Sequence, residues 1–291
     1  MARARPEHNF HIITGSPSMD LHAAWDDLLQ HARFATHYTT PDFFKDPFVG
    51  AGERFAILAL SGERVDAALT GVSINSKATS GMPVRPQTVF RANIAPISAA
   101  AALAKGLSSF GADLNTFYSW TPLDGLERLG YVSDQASGGD QVVMLDLSKG
   151  PDALFSEFTS GRRTDLRKAI RSALVEVKML ETEQEIKELY CIHRDWTGRK
   201  GFAADRFDDF RAAARSQYRA ILVAKYQGQM IAGSYLRFSQ GGVVEYAANN
   251  SLLEYQKLDA NKLLVWRAIE WACASGFAYF SLGASHPFLT R

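Results

Sequence analysis

Glu254-Tyr-Gln-Lys-Leu-Asp-Ala-Asn-Lys-Leu-Leu-Val-Trp-Arg-Ala-Ile-Glu-Trp-Ala272 is the stretch that decides the fold. It opens as a largely polar turn, and from Asn261 its apolar residues follow helical spacing, with Arg267 and Glu270 the only charges after Lys262. A turn that runs into a helix leaves backbone N–H groups unpaired at the positive end of the helix dipole, a natural seat for an anion such as pyrophosphate. The helix is apolar on most sides, so it is expected between a sheet and another layer, with Trp266 and Trp271 as core residues. The segment follows three strand-like runs and precedes a fourth.

Working outward, residues 220–225, the turn 226–229 and residues 230–236 read as a hairpin: short apolar runs joined by a tight turn containing glycine. The same grammar stands at 55–60, 61–64 and 65–72. In each half the hairpin is followed by more strand-like sequence, an Ala/Leu-rich helix (99–110 and 260–274) and a short aromatic strand (114–120 and 277–282). Two copies of one α/β unit explain this economically. Helices precede both hairpins: 21–31 in the first half, and 152–158, 161–174 and 182–199 in the second, with a strand at 175–180. Gln141-Val-Val-Met-Leu-Asp-Leu147 reads as a strand that ends at Ser148-Lys-Gly-Pro151, which places a domain boundary there. The expected architecture is α/β with mixed α+β sheets: two tandem domains, 1–148 and 149–291, and a cleft between them.

With 291 residues, 46% hydrophobic and 22% charged, the chain can bury a substantial core. A net charge of +1 supplies no global field for nucleic acid or membrane, so such a partner needs a local basic patch; DNA is not expected. Cys191 and Cys273 lie beside apolar residues in helical context, which reads as buried thiols in a reducing compartment. The opening Met-Ala-Arg-Ala-Arg-Pro-Glu-His lacks the apolar run of a signal peptide, and no apolar stretch approaches the ~20 residues of a transmembrane helix. A cytoplasmic protein is expected.

Gly161-Arg-Arg-Thr-Asp-Leu-Arg-Lys-Ala-Ile-Arg-Ser-Ala-Leu174 carries the densest charge. Arg163, Arg167 and Arg171 share one helix face, Lys168 extends it, Arg162 starts the helix, and Asp165 is the lone acid. That density suits a phosphodiester or polyphosphate, and equally an ordinary solvated face. His193-Arg-Asp-Trp-Thr-Gly-Arg-Lys-Gly201 closes a long helix, with Arg199 and Lys200 where cations offset the helix dipole; in the functional reading Trp196, Arg199 and Lys200 hold an anionic acceptor. Glu245-Tyr-Ala-Ala-Asn-Asn-Ser-Leu-Leu-Glu-Tyr255 reads as a polar loop in which Tyr246, Asn249 and Tyr255 face an acceptor or relay a proton, although Asn249-Asn250-Ser251 is also ordinary turn chemistry. There is no Walker loop, no Gly-x-Ser-x-Gly elbow and no His-Glu-x-x-His, and the His and Cys residues show no metal-ligand spacing. No metal is expected. Asp26-Asp27 and Asp208-Asp209 are adjacent on helices and diverge by about 100°, so neither forms an acid/base couple.

The basic helix Arg162 to Ala169, the Tyr246 to Asn249 stretch, the Tyr255-Gln-Lys-Leu-Asp-Ala-Asn-Lys-Leu-Leu264 turn and Gly276-Phe-Ala-Tyr-Phe-Ser-Leu-Gly283 together resemble the Fem-type (FemAB-like) branch of the GNAT acyltransferase superfamily. The resemblance is strongest over residues 158–285; the first half matches in layout. It implies tandem GNAT-like domains, with the donor held where a strand opens against its neighbour before the turn and helix. The usual acetyl-CoA turn reads Q/R-x-x-G-x-G/A, and here Gln256 is followed by Asp259 and Asn261 where glycines would stand. That departure is shared across the Fem-type branch, whose well-studied members transfer an amino acid from aminoacyl-tRNA to an amine of a peptidoglycan precursor. This sequence lacks the long coiled-coil arm that some members use to hold tRNA, and one more basic, aromatic strand is expected after Gly283.

The resemblance implies amide-forming acyl transfer, and the expected activity is aminoacyl-tRNA-dependent transfer to the amine of a small peptide or nucleotide-linked precursor. Arg162, Arg163, Arg167, Lys168, Gln256, Asn261 and Lys262 are the expected donor-binding residues; Trp196, Arg199, Lys200 and Asn249 hold the acceptor; Tyr246 and Tyr255 are the side-chain helpers for proton transfer. No tightly bound cofactor is expected, only the co-substrate. Alternatives are an acyl-CoA- or carrier-protein-dependent N-acyltransferase and a non-catalytic tRNA- or anion-binding module.

Overall fold

The computed structural model describes residues 8–133 and 142–284. The opening residues read above for a leader, Gln141 of the sequence-predicted strand, and the extra strand expected after Gly283 lie outside the described residues, apart from Ala284 itself. The chain divides into two compact units, Met1–Val142 with Ser239–Val243, and Val143–Phe238 with Val244–Arg291.

The first unit contains β1 (Asn9–Ile13), α1 (Met19–Gln30), β2 (Glu53–Ser61), β3 (Arg64–Ile74), β4 (Lys77–Ser80), β5 (Thr88–Phe90), α2 (Pro96–Ser108) and β6 (Leu114–Phe117). Its sheet runs β1-β2-β3-β4-β6, with β5 also on β3; β4 and β6 pair in parallel and the other pairs are antiparallel. β2 and β3 are almost continuously apolar because both faces are covered. Phe55, Ile57, Ala59 and Leu69 pack with Leu103 and Leu107 of α2, while Ala56, Leu58 and Ala68 pack with Trp25 and Leu28 of α1. The 239–243 segment belongs to this unit: the Val243 N–H donates to the Ala35 carbonyl at 2.8 Å, and Gly242 lies so close to Ala35 that a Cβ would meet its backbone carbonyl.

The second unit contains β7 (Val142–Asp146), α3 (Gly150–Glu157), α4 (Ser160–Ser172), β8 (Val175–Met179), α5 (Glu183–Arg199), α6 (Phe207–Ala214), β9 (Arg219–Tyr226), β10 (Gln229–Phe238), β11 (Val243–Ser251), α7 (Ala260–Ala274) and β12 (Tyr279–Ala284). The sheet order is β7-β12-β11-β10-β9-β8. α7 covers one face, its Leu263, Leu264 and Ile269 in one core with Ala232, Leu236 and Phe238. α5 and α6 cover the other, with Leu189, Ile192 and Phe210 against Ile221 and Val223. Gly233 faces Leu189, and its missing side chain lets α5 approach β10. α7 is thus buried between sheet and further helices, Phe155 and Phe158 edging onto Trp266.

Two sequence expectations are corrected. Residues 245–255 are not a loop: β11 continues to Ser251 and a 3-10 turn follows at Leu253–Leu258. Asn249, Asn250 and Ser251 are turn formers by local preference, but pairing with Ser234, Gly233 and Ala232 of β10 overrides that preference. Cys191 is exposed on α5 rather than buried; its apolar neighbours in sequence face other directions on the helix.

α5 begins at a capping box, in which Thr182 accepts the Glu185 N–H at 3.1 Å and the Glu185 carboxylate accepts the Thr182 N–H at 3.3 Å. The same carboxylate receives Lys178 at 2.8 Å and Lys225 at 2.9 Å, tying β8 and β9 to the helix start. Burial pushes the Glu185 carboxyl up, but the two ammonium groups and the Glu181 and Thr182 N–H groups outweigh it and hold it far below the usual carboxylate range.

Because that folded-state value is depressed, the stabilisation is complete above about pH 4.5, the ordinary Glu value, and is lost as pH falls through the folded value. Glu185→Gln is therefore expected to lower the melting temperature at neutral pH, with the gap to the parent narrowing as thermal unfolding is followed into acid. In the first unit, Gly242→Ala is expected to cost about 1–3 kcal/mol by forcing Cβ onto the Ala35 backbone, read as a lower denaturant midpoint.

Candidate functional site

The site is built where α7 begins. Asp259 precedes the helix at φ +55°, a left-handed conformation that favours glycine, and it stands at the first glycine position of the acetyl-CoA turn. The backbone thus keeps the glycine conformation without the glycine. The Asp259 carbonyl accepts the N–H groups of Lys262 at 3.0 Å and Leu263 at 3.2 Å. The N–H groups of Ala260 and Asn261 precede the first carbonyl the helix can offer and stand at its positive end. Gln256 is exposed, and its carbonyl accepts the Asp259 N–H at 3.3 Å, closing the turn.

Lys262 reaches Asp165 of α4 at 2.8 Å and Asp259 at 3.1 Å. The hydrogen bond to Asp165 raises the Lys262 ammonium above its usual value and lowers the Asp165 carboxyl, so the pair stays charged at neutral pH. This contact sets the basic helix beside the turn. Along α4 the cations differ. Arg163 donates to the carbonyls of Ser156, at 2.9 Å, and Phe158, which close α3, and Arg167 lies 5.1 Å from the Phe155 ring centroid. Arg162 is half-buried, its N–H capped by Thr159 at 3.4 Å, while Lys168 and Arg171 are exposed.

Arg199 and Asn261, assigned from sequence to acceptor and donor, meet at one residue. Arg199 Nη2 donates to the Ser251 carbonyl at 2.5 Å, and Asn261 Nδ2 to Ser251 Oγ at 3.3 Å. Asp195 orients Arg199 from the previous helical turn at 2.9 Å. Trp196 is half-buried and Lys200 exposed at the same helix end.

Register places the strand residues. Tyr246 stands opposite Leu236, Asn249 opposite Ser234 and Ser251 opposite Ala232, and Leu236 and Ala232 pack in the α7 core. Between Tyr246 and Ala248 the strand bulges at Ala247, so residues 246, 249 and 251 share the α7 face while Asn250 turns to α5. Burial pushes the Tyr246 phenol up, offset in part by Asn249 beside its hydroxyl. Tyr246 is therefore a proton and hydrogen-bond donor at neutral pH, not a base. The Asn249 amide atoms and Ser234 Oγ are buried and complete no well-formed hydrogen bond. Tyr255 is drawn elsewhere: its hydroxyl donates to Gln229 Oε1 at 2.9 Å and its ring packs on Tyr226, bracing the 3-10 turn against the β9–β10 hairpin.

Sequence reasoning missed Ser251, His193 and Asn250. The signal available was the polar triplet 249–251 at the end of an apolar strand, which read as turn chemistry. Among the described residues no group of three or more His, Cys, Asp or Glu is placed to hold a metal ion, and no helix is long and apolar enough to cross a membrane.

Residues 160–287 match the family described as Acetyltransferase (GNAT) domain. The fold is that of FemX, whose crystal structure superposes with a TM-score of 0.71 at 10% identity over 94% of this chain and 89% of that one. The C-terminal domain of a putative lysylphosphatidylglycerol synthetase from Agrobacterium fabrum aligns at 0.58 and 13% identity, over 91% of this chain and 78% of that one. No curated protein matches the sequence. The second half is thus a GNAT acetyltransferase domain in a Fem-like tandem GNAT fold, and by its domain family the protein is an acyltransferase.

Asp259→Gly restores the missing glycine in a backbone already shaped for it. The substitution is expected to leave stability unchanged or raise it by up to about 1 kcal/mol, and to strengthen acetyl-CoA binding by removing a carboxylate from the turn; thermal melts and calorimetric titration with acetyl-CoA check both.

Proposed function

We propose that the protein is an N-acyltransferase that moves an amino acid from aminoacyl-tRNA to the amine of a small peptide or nucleotide-linked precursor. The observation that carries this reading is the Lys262–Asp165 contact, which sets a cationic helix beside a donor turn lacking its glycines. Phosphodiester oxygens are matched by Lys168, Arg171 and the exposed side of Arg167, while Asp259 at the turn disfavours a free pyrophosphate. FemX and the synthetase domain share this fold, and the sequence resembles the Fem-type branch.

In the proposed step the acceptor amine attacks the aminoacyl ester carbonyl. A C–N bond forms, the ester C–O bond breaks, the amine loses a proton and the terminal ribose oxygen gains one. Tyr246, kept protonated by burial, hydrogen-bonds the developing oxyanion or hands its proton to the leaving oxygen. Tyr255 braces the turn that holds the donor. Arg199, Trp196, Lys200 and Asn249 orient the acceptor, and positioning supplies much of the rate.

A second reading has its own support. The left-handed Asp259 and the N–H groups at the positive end of α7 keep the geometry of an acyl-CoA turn, which favours an acyl-CoA-dependent N-acyltransferase.

Titration at low salt with aminoacyl-tRNA, deacylated tRNA and acetyl-CoA separates the two. Saturable tRNA binding that weakens with salt is expected, and the Lys168→Ala/Arg171→Ala double variant should reduce the salt slope by roughly two. Tight acetyl-CoA binding with none to tRNA would replace the first reading by the second. Binding without any transfer to amine acceptors would make the protein a binding module.

A further inference from the structure

His193, on α5, lies on the sheet face opposite α7. Its ring stacks on Tyr190 with centroids 6.2 Å apart and packs on Phe210 of α6 at 5.3 Å. Its two nitrogens face different elements: Nδ1 lies 3.1 Å from Oδ1 of Asn250 on β11, and Nε2 lies 3.1 Å from Oδ2 of Asp205 in the α5–α6 connection. The Tyr190 hydroxyl donates to the Asp205 carbonyl at 2.7 Å. Asn250 is 2% exposed, so water is a poor substitute partner for its amide. The connection, residues 200–206, opens at Lys200 and presents Phe202 at 64% exposure, directly after Trp196 and Arg199.

We propose that His193 is a positioning residue for the acyl transfer, pinning the 200–206 connection through Asp205 to the strand β11 through Asn250. The tether would set the proposed acceptor residues against the strand that carries Tyr246, Asn249 and Ser251. Its functional meaning rests on the acyltransferase reading above; the tether itself does not.

The ring's proton decides which bonds hold the connection. A neutral ring with its hydrogen on Nδ1 donates to Asn250 Oδ1 and accepts the Asp205 N–H at 3.4 Å, but turns its Nε2 lone pair towards the Asp205 carboxylate. A protonated ring donates from both nitrogens, to Asn250 and to the carboxylate. Either state keeps the ring joined to both elements. The titratable groups facing this cluster are Asp205 from the connection, Tyr190 from α5 and Tyr235 from β10; burial, with the Asp205 charge, keeps Tyr235 protonated. α6 presents Phe207 and Phe210, β11 the neutral Asn250 amide, and Arg194 and Asp195 of α5 are exposed. With both nitrogens engaged, the ring acts through its neighbours and not as a free base.

Hydrogen exchange by mass spectrometry on the full chain tests this without donor or acceptor, for the parent, His193→Gln and Asp205→Ala. After correction for intrinsic rates, His193→Gln should raise exchange of peptides covering 200–206 about tenfold while α7 stays protected, the effect of one lost hydrogen bond. Asp205→Ala removes the ring's side-chain partner in the connection without touching α5 and should raise exchange there likewise; it carries the test alone if His193→Gln also loosens α7. Exchange in 200–206 that stays at the parent's rate in these variants overturns the proposal. Failure to find transfer with any donor would sink the acyltransferase reading and leave the tether standing, so the two failures are distinct.

Discussion

The bulged pairing of β10 with β11 is the constraint on which the second unit depends. A strand alternates its side chains strictly, so one inserted residue at Ala247 changes which face every later residue serves. Without the bulge, Asn249 and Ser251 would turn towards α5 and Asn250 towards α7. With it, Tyr246, Asn249 and Ser251 line the α7 side, and Asn250 is free to meet His193.

The remaining parts of the site are assembled around that strand by a few polar contacts. Ser251 receives Arg199 from the end of α5 and Asn261 from the start of α7, so the two helices on opposite faces of the sheet are joined at the strand's last residue. Lys262 then links α7 to α4. Each contact is modest, and each is supported by packing beneath it: α7 has Leu263 and Leu264 buried directly after Lys262, and α5 has Leu189 against the bare Gly233. Arg199, Asn261 and Lys262 stand at helix ends, where the helix dipole is available, while Leu189, Leu263 and Leu264 hold the core.

The basic helix illustrates how tertiary context sorts residues that look alike in sequence. Arg163, Arg167 and Arg171 recur at the same helical interval, yet Arg163 is taken up by the end of α3 and Arg167 is laid over Phe155 while still exposed, and Arg171, like Lys168, stands out to solvent. Arg163 contributes by closing a neighbouring helix, so its loss would be felt as stability before it was felt as binding.

The sequence by itself determined the hairpins and the main helices of both halves, because hairpins such as 220–236 and the helix beginning near Asn261 are written in hydrophobic period and turn residues, which are local properties. It also marked the turn at Asp259, where a missing glycine is visible letter by letter. Only the tertiary structure decided that 245–251 is strand and not loop, since its Asn-Asn-Ser composition favours a turn until β10 supplies hydrogen-bonding partners. β4 was hidden for a related reason: Lys77-Ala-Thr-Ser80 is too short and polar to show a period, and it exists because β3 and β6 flank it. The meeting of Arg199 and Asn261 at Ser251, and of Asp205 and Asn250 at His193, joins residues far apart in the chain, and no periodicity encodes which distant side chain a hydrogen bond will find.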